Sequence, residues 1–126
     1  MGALDGITVL DLTRLLPGGV ASAALQAEGA AVIKVEEPGA EDYARPMPPL
    51  IEGIGAVFRE TNGGKKSVAL NLKSEDGRGA FLRLALTADI VLEGFRPGVM
   101  ARLGLSYDVM RTTRRNYDAV LPCALR

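Results

Sequence analysis

The 126-residue chain has no histidine and no tryptophan, and its only cysteine is Cys123. Without imidazole it lacks both the commonest metal ligand and the commonest general base. Metal catalysis and a Cys–His nucleophile are therefore not expected from these residues. A lone thiol excludes an intramolecular disulfide, and Cys123 reads as a small buried hydrophobe. Charge of one sign is not in excess either: 15 basic residues face 15 acidic ones, which leaves no bulk field to draw nucleic acid or an anionic membrane. No apolar run reaches the roughly 18 residues that a membrane span needs. Met1-Gly2-Ala3-Leu4-Asp5 shows neither the basic start nor the apolar core of a secretory leader. The plain reading is a soluble, cytoplasmic, single-domain chain without metal, of a size that buries about two-thirds of its unfolded surface.

What is present alternates between strand and helix signals. Ile7-Thr8-Val9-Leu10-Asp11-Leu12 is β-rich, and a Gly-Gly-punctuated loop from Arg14 to Gly19 leads into the Ala-rich, helix-favouring segment Val20 to Glu28. Gly29 stands where a helix stops. Ala31-Val32-Ile33-Lys34-Val35 is a second apolar run. Pro38 to Pro49 holds four of the seven prolines and reads as a long irregular excursion. Ala56 to Glu60 suits a turn of helix, and Ser67 to Leu72 alternates like a strand. Ser74 caps the helix that follows, with Glu75 and Asp76 where the helix dipole favours acids. Ile90-Val91-Leu92 is a fourth strand, and Ser106 to Arg115 a last helix. Alternation of this kind predicts an α/β fold with a mostly parallel sheet and flanking helices. Ligands of such sheets bind beyond the carboxyl ends of the strands, which directs attention to Thr13–Gly19, Glu36–Ala40, Lys73–Glu75 and Glu93–Gly98.

Candidate chemistry in these loops competes with structural explanations. Thr13-Arg14-Leu15-Leu16-Pro17-Gly18-Gly19 lacks the spacing of a dinucleotide turn and the ending of a P-loop; it reads either as backbone that approaches a ligand at a helix N-terminus or as a tight turn. Lys65, Lys66 and Lys73 could reach phosphate, or could be solvated surface lysines. Arg96, beside a strand end and before Pro97-Gly98, is placed to pair with phosphate or stack on an adenine; helix-end capping or an ion pair with Glu93 is the alternative. The carboxylates Glu36, Glu37, Glu41 and Asp42 read as a solvated acidic loop, with Asp11 as a hydrogen-bonded strand-end residue, because no spacing selects an acid–base pair.

The residues Leu4-Asp5-Gly6-Ile7 with Val9-Leu10-Asp11-Leu12-Thr13, Gly29-Ala30 with Val32-Ile33-Lys34-Val35-Glu36, and Asn62, Gly64-Lys65 and Ser67 to Leu70 with Leu72-Lys73 fall in a recognisable order. They are followed by Ala88-Asp89, Val91, Glu93, Phe95-Arg96-Pro97-Gly98-Val99 and Arg102-Leu103-Gly104-Leu105. Over residues 4–111 this series resembles the start of family III CoA-transferases, whose fold the α-methylacyl-CoA racemases share. The resemblance implies an incomplete large domain with a Rossmann-like core, an acyl-CoA thioester as substrate, coenzyme A bound over the sheet, and a homodimer of interlaced chains. By resemblance, Leu15, Leu16 and Pro17 border the pantetheine and thioester end, and Leu70 and Lys73 flank the adenine and ribose phosphate. Gly94, Phe95, Arg96, Arg102 and Leu103 complete the nucleotide cradle.

Two positions depart from the pattern. Many members have Arg after the Glu of the second strand where this chain has Glu37, and some transferases have Gln where it has Leu16. The residues that carry chemistry in the family, an acylated Asp in transferases and a His with an Asp in racemases, lie beyond the matched segment, so no catalytic residue is expected here. Residues 112–126 read as a divergent tail, interrupted by Pro122, as in a truncated or frame-shifted product. Three functions follow as expectations: the CoA-binding N-terminal portion of an acyl-CoA:carboxylate CoA-transferase, the same portion of a racemase, or a non-catalytic CoA-binding or dimer-interaction fragment.

Overall fold

In the computed structural model, residues 1–113 are described. Four parallel strands form its sheet: β1 (Thr8–Asp11), β2 (Ala31–Glu36), β5 (Lys66–Ala69) and β6 (Ile90–Leu92), in the order β5-β2-β1-β6. β1 is central, pairing Val9 with Val32 and Leu10 with Ile33 on one side, and Leu10 with Val91 on the other. A strand covered on both faces needs apolar side chains pointing both ways, which Val9 and Leu10, each fully buried, supply.

The two faces of the sheet are packed by different partners. Leu10, Leu12, Val35 and Val91 meet Phe81 and Ala85 of α3 (Glu75–Ala85) and Met110 of α5 (Tyr107–Thr113). Val9, Ala30 and Val32 meet Leu25 of α1 (Leu15–Ala27). The α/β expectation holds, with helices on both faces of a parallel sheet.

Several boundaries were legible. Ser74 Oγ accepts the Gly77 N–H at 3.0 Å and starts α3. Glu28 caps α1, and Gly29 follows at φ 105°, a conformation that glycine adopts without steric cost.

The predicted loop Arg14–Gly19 is a correction, because α1 already begins at Leu15. Pro17 suits a first helical turn, where its missing N–H leaves no intrahelical bond unmade. The two glycines serve packing rather than flexibility: a Cβ on Gly18 would lie 2.1 Å from Thr13 Cβ, and one on Gly19 3.1 Å from Thr61. Leu15 itself sits at φ 61°, held by the bond from its N–H to Asp42 Oδ1 at 3.0 Å.

The Pro-rich excursion has no helix or strand over residues 38–49, as expected, but it is followed by a hairpin the sequence reading missed. Its strands β3 (Leu50–Ile51) and β4 (Ile54–Gly55) pair antiparallel across Glu52-Gly53, both at positive φ. Apolar pairs flanking Glu-Gly were the available signal, since two positive φ values define the turn that suits a two-residue hairpin. After it, α2 (Ala56–Asn62) and the short α4 (Val99–Arg102) complete the element order.

Candidate functional site

The strand order switches direction at β1: the chain leaves it towards β2 and β5, then returns to β6 on its other side. Crevices open at the carboxyl ends of strands at such a point, and here one has a volume of about 240 Å³. Leu12 and Val35, at the ends of β1 and β2, share its apolar walls with Leu70, Leu72, Phe95, Val99 and Leu103. Arg14, Glu36, Glu37 and Lys73 supply its charges. Whole ligand pockets run to about 300–1,000 Å³, so this cleft suits one part of a large ligand. The result is an apolar slot with one phenylalanine in its wall and a rim that carries charges of both signs.

At the rim, Glu37 holds both cations. Lys73 Nζ donates to its Oε1 at 2.6 Å, and Arg14 Nη2 donates to its Oε2 at 3.4 Å. The hydrogen bond from Lys73 is the largest influence on the Glu37 carboxyl, which is held below its ordinary pKa. Arg14 also lies over the Tyr43 ring, 5.6 Å from its centroid. Glu36 is not free: Arg45 donates to it twice, at 2.9 and 2.6 Å, and Ser67 donates at 3.1 Å. Burial is the strongest single influence on Glu36 and raises its pKa, but the Arg45 pairing and the other donors outweigh it and leave the carboxyl below its usual range.

A second ionic cluster, its side chains buried, is built against α1 and α2. Lys65 Nζ reaches Asp11 Oδ2 at 3.2 Å, Ser22 Oγ at 2.7 Å and Asn62 Oδ1 at 2.8 Å. Asp11 also accepts from Thr13 and Ser22, each at 2.5 Å. Lys34 Nζ donates to the Thr13 carbonyl and lies 2.9 Å from Asp42 Oδ2, an oxygen that accepts no aligned hydrogen bond. Burial pushes the Lys65 ammonium below its ordinary pKa against the pull of Asp11. Burial raises Asp42, yet N–H donors from Ala44 and Leu15, together with Lys34, bring it below its ordinary value.

Two readings are corrected by these contacts. Glu36 and Asp42 are buried and ion-paired, so they are not part of a solvated acidic loop. Lys65 is neither a solvated lysine nor a phosphate ligand, because its side chain is 1% exposed and fully engaged. The single hydrogen-bonded Asp11 is found as expected.

Of the residues expected to cradle a nucleotide, Leu70, Lys73, Phe95 and Leu103 come together in the cleft wall. Leu15, Leu16 and Pro17 lie on the first turn of α1, exposed and outside that wall, and Gly94, Arg96 and Arg102 also lie outside it. Arg96 makes no ion pair with Glu93, whose carboxylate accepts the Phe95 N–H at 2.7 Å instead. The sequence reading missed Arg14 as a rim cation; its place in the loop that follows the first strand was the available signal. Cys123 and most of the 112–126 tail fall outside the described residues. Among the described residues, no three His, Cys, Asp or Glu side chains are grouped to hold a metal ion, and no helix is long and apolar enough to cross a membrane.

Comparison with known proteins agrees with this architecture. The acetyl-CoA:oxalate CoA-transferase of Acetobacter aceti is 43% identical over 107 residues, covering 85% of this chain and 28% of that protein. A probable fatty acyl-CoA transferase of Mycobacterium tuberculosis is 46% identical over 116 residues, covering 90% and 29%. Among solved structures, a CAIB/BAIF family protein from Brucella suis superposes with a TM-score of 0.81 at 37% identity, over 89% of this chain and 31% of that one. The chain thus spans less than a third of the length of these relatives. The model of CoA-transferase family III matches residues 4–116, and this chain belongs to that family.

Proposed function

We propose that this chain is the coenzyme A-binding N-terminal portion of an acyl-CoA:carboxylate CoA-transferase, with the adenine end of CoA in the cleft beyond β1, β2, β5 and β6. One observation carries the reading: Leu70, Lys73, Phe95 and Leu103, distant in sequence, converge on one apolar slot with cations at its mouth. The Phe95 ring and the leucines would hold the base, and Lys73 with Arg14 the phosphates. Arg96 and Arg102, exposed and without ion-pair partners among the described residues, would reach the outer phosphate. Leu15, Leu16, Pro17 and Gly94 would flank the pantetheine arm as it leaves the cleft. The curated relatives are transferases, which favours transfer over racemisation.

These 126 residues alone are expected to bind without turnover, because the resemblance puts the Asp that family III transferases acylate beyond the matched segment. A CoA-transfer assay with acetyl-CoA and oxalate should show no product. The reading also carries a homodimer, consistent with the exposed Leu16, Val20, Leu50 and Ile51, and a cytoplasmic location.

Calorimetric titration of CoA into the chain tests the site. Leu70→Trp, which fills the slot, should abolish binding, and Lys73→Ala should weaken it by roughly tenfold, as expected for loss of a charge-assisted phosphate contact. A chain with a native circular dichroism spectrum that binds CoA equally well with Leu70→Trp would overturn the assignment.

A further inference from the structure

Arg14 and Lys73 share the cleft with Glu36 and Glu37, and because Glu36 is paired with Arg45, Glu37 is the carboxylate that offsets the two rim cations. The two carboxylates are held differently. Glu36 is fixed from three sides, by Arg45 in two bonds, by Ser67 and by the Asp42 N–H. Glu37 is held only at the rim, by Lys73, whose side chain is 71% exposed, and by Arg14 at 3.4 Å. Pairs this exposed are weak, and a rotation of one side chain releases both. Glu37 thus contacts both rim cations with one carboxylate, as a phosphate would.

We propose that Glu37 is a built-in counter-ion that occupies the phosphate seat of the cleft and must swing away from Arg14 and Lys73 before a phosphorylated ligand can bind. The residue thereby sets affinity for the charged part of the ligand without contributing to recognition of the base. For CoA itself the proposal rests on the nucleotide reading above. The competition for Arg14 and Lys73 needs only an anion.

The test compares the full chain with Glu37→Gln, which keeps the shape and removes the charge. Calorimetry with CoA, adenosine and inorganic pyrophosphate should show Glu37→Gln binding CoA and pyrophosphate about three- to tenfold more tightly, on the scale of one or two exposed ion pairs released. Adenosine affinity should be unchanged, and added salt should narrow the difference. Equal CoA affinity in the two chains overturns the counter-ion while leaving the nucleotide site intact. Loss of adenosine affinity in Glu37→Gln also overturns it, by making the carboxylate a ribose acceptor. Tighter pyrophosphate binding with no CoA binding in either chain supports the counter-ion and removes the nucleotide reading. Matching circular dichroism spectra of the two chains exclude misfolding as the cause.

Discussion

Two ionic clusters of cations and carboxylates lie at the carboxyl end of the same sheet, a buried (lower) one against α1 and α2 and a more exposed (upper) one at the cleft rim. In the lower one, Lys65 and Lys34 face Asp11 and Asp42, and none of the four side chains is more than 2% exposed. In the upper one, Lys73 and Arg14 face Glu37, with side chains 71%, 30% and 27% exposed. Water makes the difference. A buried ammonium has lost its hydration and depends on its partners, so removing one partner leaves an uncompensated charge. An exposed ammonium can exchange its carboxylate for water or for a ligand at little cost. The lower cluster ties β1 to α1, α2 and the excursion after β2, and the upper one is left available to bind.

Mutation of the lower cluster gives the largest expected effect. Asp11→Ala should destabilise the fold by about 3–5 kcal/mol, since it leaves Lys65 buried without its anion, and urea unfolding measures this. If the loss were under about 1 kcal/mol, the two clusters would not differ in kind. Gly18→Ala comes next: the added methyl meets Thr13 at the end of β1, and overpacking of this sort typically costs about 1–3 kcal/mol. A neutral result would mean that the first turn of α1 is the open loop its glycines suggest.

Acid sharpens the comparison through Glu36 and Asp42, both held below their ordinary values of 4.5 and 3.8. The unfolded chain takes up these protons first as pH falls, so their stabilisation is complete above the ordinary values and disappears as pH passes down through the lower folded ones. Glu36→Gln should therefore flatten the acid limb of the urea midpoint. Lys65 gives the same sign of slope in a higher pH window. Its folded pKa lies below 10.5, so the unfolded chain holds the extra proton, and this group's contribution rises with pH between the folded value and 10.5. The smallest effect is expected at the rim. A double-mutant cycle of Glu37→Gln with Lys73→Ala should give a stability coupling below about 0.5 kcal/mol. A coupling above about 2 kcal/mol would make the rim structural like the buried cluster.

Much of the fold was legible because its signals are local. β-rich runs marked all four strands of the sheet, Ser74 marked the start of α3 and Gly29 the end of α1. The hairpin at Leu50–Gly55 escaped because each of its strands has only two residues, too few for alternation to show. The candidate site was legible in part. Leu70, Lys73, Phe95 and Leu103, named by the resemblance, line one cleft, but Arg14 could be recognised as their neighbour only once β1 was seen at the centre of the sheet.

By itself, then, the sequence determined the α/β class, the strand positions, the helix stops and the family, because composition, capping and residue order act over short stretches of chain. Tertiary structure decided which charges are structural and which are available. Lys65 and Lys73 belong to neighbouring polar segments that read alike, and the spacing around them does not separate their roles. Packing of α1 and α2 over β1 removes water from one, while the open mouth of the cleft leaves it around the other. Solvent access is a property of the assembled layers, and it makes one lysine part of the core and leaves the other at the mouth of the cleft.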